Sequence, residues 1–84
     1  MPGKDKTMAE MSQLLFMQTR IARLASERWN MPIEKIAGIF KQYNVFDYIE
    51  NGFGIFHCEG DEAVFDDVEE YLDRKGFEHN DNTR

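Results

Sequence analysis

Four side chains in the second half of the chain are of the types that chemistry uses: His57, Cys58, Asp66 and Asp67. A thiol nucleophile with its base, or a metal site, would draw on such a set. The spacing speaks against both. If residues 53–58 are extended, His57 and Cys58 point to opposite faces and neither share a ligand nor form a dyad. A zinc site of recognisable spacing needs more than one cysteine and two histidines, and the second histidine, His79, falls in a polar tail. No catalytic group, cofactor site or metal site is therefore expected. A structural role suits His57 better, as a latch half-buried beside Phe56 and bonded to a backbone carbonyl or to a carboxylate such as Asp67. Cys58 reads as a small buried apolar residue. The glycines Gly52, Gly54 and Gly60 lack the spacing of a phosphate-binding loop.

The elements that must position these residues follow from periodicity and punctuation. From Met8 to about Asn30, Met11, Leu14, Leu15, Ile21, Ala22, Ala25 and Trp29 recur at three- and four-residue spacing and predict a long amphipathic helix. Phe16, Met17 and Leu24 widen its apolar surface beyond what one neighbouring helix covers. Pro32 suits the start of a second helix, Ile33 to about Gln42. Asn44 reads as a break and as the N-cap of a short third helix, Val45 to about Asn51, which Gly52 stops. Phe53 to Cys58 is short, apolar and bounded by glycines, and is expected to be extended. Asp61 is the expected N-cap of the last helix, with Val64, Phe65, Val68, Tyr71 and Leu72 on its apolar side and Gly76 as its stop. The expected fold is mainly α: a compact bundle of about four helices with one short extended segment between the third and fourth. The domain spans 8–76, with a disordered tail at 1–7 and a polar tail at 77–84.

Size and charge narrow the function classes. Of 84 residues, roughly 65 to 70 remain for a core, near the lower limit for an unaided fold. A single cysteine excludes an internal disulfide and fits a reducing compartment. No apolar run approaches the roughly 18 residues of a spanning helix, so a cytoplasmic protein off the membrane is expected. The net charge of −6 is uneven: up to Asn44 seven bases oppose four acids, and from Val45 onward three oppose twelve. Nucleic acid is disfavoured, because a helix-turn-helix built from the second and third helices would present Asp47 and Glu50 to phosphate. The basic cluster Arg20, Arg23 and Arg28 reads as solvated or salt-bridged surface.

The stretches FMQTRIARLA and FKQYNVFDYIENGFGIFHCEGDEAVFDDVEEYL, with Phe40, Val45, Tyr48, Ile49, His57, Asp67, Val68, Tyr71 and Leu72 as matching positions, resemble a family of short uncharacterised bacterial and phage-associated proteins. That family is catalogued as a domain of unknown function. The resemblance runs from about Phe16 to Leu72. It implies an antitoxin or accessory role, because members are often encoded beside a small protein that resembles ADP-ribosyltransferase toxins, and it supplies no catalytic residues. Cys58 stands where members often have threonine. The function expected is a non-enzymatic interaction module that self-associates as a dimer and binds a partner protein. A small nucleic-acid-binding transcriptional regulator is the alternative. The candidate interaction surface comprises Phe16, Met17, Leu24, Asp66, Glu69, Glu70 and Asp73, and the candidate latch is His57 with Asp67.

Overall fold

The computed structural model describes residues 8–77, so the tail expected at 1–7 and all of the tail expected at 77–84 except Phe77 lie outside the described residues. Five helices follow in order: α1 (Met8–Trp29), α2 (Ile33–Gln42), α3 (Val45–Asn51), α4 (Phe53–Phe56) and α5 (Asp61–Arg74). The helical bundle expected from periodicity is what the chain forms, with α2 and α5 packed along α1 and α3 bridging α2 to α5.

Two helix ends show why the elements stop where they do. Asn30 takes a left-handed conformation (φ 56°) and lets the Met31 N–H donate back to the Ser26 carbonyl at 3.1 Å. Gly76 (φ 92°) does the same for α5: its own N–H donates to Asp73 O and the Phe77 N–H to Leu72 O. Both are Schellman closures, which satisfy carbonyls the helix leaves open. The second also turns Phe77 back, and its ring lies 5.7 Å from Trp29 and 5.4 Å from Tyr43. Asn44 is likewise left-handed (φ 60°) and separates α2 from α3, but its side chain caps nothing. At α5 the N-cap is Gly60, one residue earlier than expected, which frees the Asp61 carboxylate for Arg20.

The segment expected to be extended is helical instead. Gly52 O accepts the N–H groups of Ile55 and Phe56 at 2.9 and 2.8 Å, and the N–H groups of His57, Cys58 and Glu59 also bond within the turn. No strand occurs among the described residues, so an extended piece would leave its amides without partners. Local helical bonds supply them. The turn buries Phe56 against the bundle and leaves Ile55 68% exposed.

The core is wholly apolar. Ile21, Ile36, Phe40, Val45, Ile49, Val64, Phe65, Val68 and Leu72 are fully buried, and no polar or charged side chain among the described residues joins them. Trp29 closes one end, 5.7 Å from Phe65 and edge-on to Phe40, with its indole N–H donated to Glu69 at 3.0 Å. At the junction of α3 and α5, Tyr48 stacks on Tyr71 at 4.2 Å, and the Tyr71 hydroxyl donates to the Tyr43 carbonyl at 2.7 Å. A buried aromatic with a polar tip is stable where the tip finds such a partner.

Candidate functional site

The short α4 turn places His57 and Cys58, and it places them differently from an extended segment. His57 is exposed, its Nδ1 is 2.8 Å from the Phe53 carbonyl one turn back, and its ring lies beside Phe53. Cys58 is exposed rather than buried, and its Sγ is 3.7 Å from His57 Nε2. The two side chains therefore do sit together, because consecutive residues leaving a helical turn diverge by about 100° rather than the 180° of a strand.

The latch between His57 and Asp67 does not form. Both ring nitrogens of His57 face atoms of its own turn. Asp67 instead lies on the side of α5 that meets Tyr48. Burial first, then the Asp67 charge, raises the Tyr48 phenol above its usual value of 10.0, and Arg74 pulls in the opposite direction. Asp66 is exposed on the outer side of α5. Among the described residues no three His, Cys, Asp or Glu side chains gather into a metal-binding group.

The expected interaction surface divides in the same way. Phe16 is 62% exposed, and Asp66, Glu70 and Asp73 face outward from α5. Met17, by contrast, is 3% exposed and belongs to the core stripe Leu14, Met17, Ile21, Ala25. Leu24 is half-buried against that core, and Glu69 is half-buried where it accepts the Trp29 N–H. Of the arginines on α1, Arg20 pairs with Asp61 at 3.0 Å, and Arg28 pairs with Glu62 while lying over the Phe65 ring. These ties fasten the first turn of α5 to α1.

Sequence reasoning missed the exposed apolar residues Met11, Leu15, Ile33 and Ile55. Two apolar recesses lie on opposite flanks of α1, one bordered by Leu15 and Ile33 and the other by Phe16. On one flank, a groove of about 720 Å³ runs along α1 and is lined by Leu15, Gln18, Ala22, Ser26, Ile33 and Phe46. Gln18 forms part of it, donating from its amide to the Phe46 carbonyl at 3.0 Å. On the other flank, Phe16 and Phe53 border a smaller recess with Arg20, His57 and Glu59. A signal for the missed residues was present: stepping back from Ile21 by four and seven reaches Met17 and Leu14, which leaves Leu15 and Met11 off the core stripe.

A family described as protein of unknown function (DUF3791) matches residues 16–75. The chain belongs to this family. The DUF3791 match begins at Phe16 and ends just short of Gly76, so it takes in the α4 turn, the smaller recess and nearly all of the core. No curated protein and no solved structure matches the chain. Among the described residues no helix is long and apolar enough to cross a membrane.

Proposed function

We propose that this DUF3791 protein is a non-enzymatic interaction module that binds a partner protein, in the role of an antitoxin or accessory to a neighbouring gene product. The observation that carries this reading is the apolar edge around α4, where Phe16, 62% exposed, borders a recess with Phe53 on a domain with a complete apolar core. Large apolar side chains held outside a finished core favour a surface that a partner covers. Acids dominate the second half of the chain, and Asp66, Glu70 and Asp73 are exposed on α5. The partner surface that fits this edge is apolar at its centre, and the acidic charge of the chain as a whole speeds the encounter with a basic partner.

The test is co-expression of the tagged protein with the product of the adjacent gene. Co-purification with the wild-type chain, and its loss with Phe16→Glu, is the expected result. Phe16 is exposed, so the substitution leaves the core intact, and circular dichroism verifies this. A neighbour that neither co-purifies nor is restrained in its activity overturns the reading.

A further inference from the structure

We propose that the groove on the opposite flank of α1 is the seat of a second copy of this chain, with the two α1 helices antiparallel and Leu15 and Met11 of each copy entering the groove of the other. This goes beyond the reading above and uses a different surface.

The stripe itself is built for self-pairing. Met11, Leu15, Ala22 and Ser26 are separated by whole turns of α1 and share one side of the helix. In the N-terminal half of that stripe stand two large exposed side chains, Met11 and Leu15. In the C-terminal half stand two small ones, Ala22 and Ser26, beneath the hollow that Ile33 and Phe46 complete. A two-fold axis crossing α1 between Gln18 and Thr19 exchanges position 15 with 22 and position 11 with 26. Large then meets small at both places, on both copies, which is the self-complementarity an isologous contact requires. The stripe from Met11 to Ser26 covers about 22 Å at 1.5 Å per residue, enough for an antiparallel helix pair.

Charge selects the same surface. Two copies of net charge −6 repel wherever the acids of α3 or α5 would be brought face to face. The groove carries one base and one acid at its rim, Arg23 and Glu27, and is otherwise uncharged. Residues 1–7 and 78–84, MPGKDKT and EHNDNTR, contain no leucine, isoleucine, valine or phenylalanine with which to fill it. A second copy brings both the side chains and the matching shape.

The experiment measures the mass of the purified protein by light scattering across a concentration series. A mass of twice the chain is expected, with association weakened at least about tenfold by either Leu15→Glu or Ile33→Glu. These alter the protruding side and the receiving side of the contact, and both residues are exposed, so folding persists. In a Cys58→Ser background, single variants Leu15→Cys and Ala22→Cys should form a disulfide when mixed and oxidised. Neither should do so alone, because two copies of one position stand about 10 Å apart along the helices, beyond the reach of the bond. A monomer at every concentration, a dimer untouched by both glutamate variants, or no cross-link in the mixture overturns the proposal. A monomer that still captures the neighbouring gene product would overturn it while leaving the proposed function standing. A dimer that captures nothing would do the reverse.

Discussion

Gly52 joins α3 to α4, and replacing it by alanine tests the packing of the α4 turn directly. A Cβ built there would stand 2.7 Å from Phe56 Cε2, 3.0 Å from Cζ and 3.1 Å from Cδ2. Three carbons along one ring edge meet it, and Phe56 is buried with its ring 5.6 Å from Tyr48, so the ring cannot swing aside as a flexible chain end would. Overpacking of this kind costs about 1–3 kcal/mol. The backbone works the other way. Gly52 has φ −97° and ψ 7°, which an L-residue adopts without strain, and alanine there restricts the unfolded chain for a gain of about 0.4–1 kcal/mol. The packing cost is the larger, and the expected net loss is about 1 kcal/mol, or a fall in Tm of about 4–8 °C for a domain of this size. Urea unfolding followed through Trp29, the single tryptophan, measures it. The same substitution made in a Phe56→Leu background should cost little, since the obstructing ring is gone. A Gly52→Ala protein as stable as wild type, or a cost that persists after Phe56 is shortened, would refute the reasoning.

Three further outcomes follow from the same contacts. Gly76→Ala should destabilise by about 1 kcal/mol in urea unfolding, because φ 92° is strained for any residue with a Cβ even though nothing lies within 4 Å of the position. His57→Ala should change the melting curve by less than about 0.5 kcal/mol, since the ring is exposed and bonded only within its own turn. A loss of 1 kcal/mol or more would revive the latch with Asp67. Tyr48 holds its proton to higher pH in the folded than in the unfolded chain, so its contribution is intact below the unfolded phenol's value of about 10 and is lost as the pH rises from there through the higher folded value. Tyr48→Phe should therefore make the alkaline fall in stability shallower, and an unchanged slope above about pH 10, the phenol's ordinary value, would contradict the assignment.

Helices α1, α2, α3 and α5 were legible because apolar spacing and its interruptions agree: Pro32 before α2, Asn44 between α2 and α3, Gly76 after α5. The α4 turn was not. A six-residue apolar run between glycines suits a strand or a helical turn equally, and the choice depends on whether a second strand exists elsewhere to pair with it. That one error propagated to the candidate site. Reading Phe53 to Cys58 as extended sent His57 and Cys58 to opposite faces, whereas the turn brings them together. The surface of α1 was ambiguous for a different reason. Leu15, Phe16 and Met17 are consecutive apolar residues on a helix, so they cannot all face one core. Which of them is buried depends on where α2 and α5 pack, and that is a tertiary fact. Asp67 could not be assigned from sequence because the last helix offers His57 several carboxylates. Nothing in the spacing showed that Tyr48 would be the neighbour.

The central claim is that the α4 edge of this DUF3791 protein holds a partner protein, and sedimentation velocity of the purified chain mixed with the adjacent gene product tests it most directly. The account predicts a faster boundary than either protein gives alone, lost with Phe16→Glu and kept with Leu15→Glu, whose side chain lies on the other flank of α1. A mixture that sediments as its separate components would contradict it, as would a complex indifferent to Phe16→Glu.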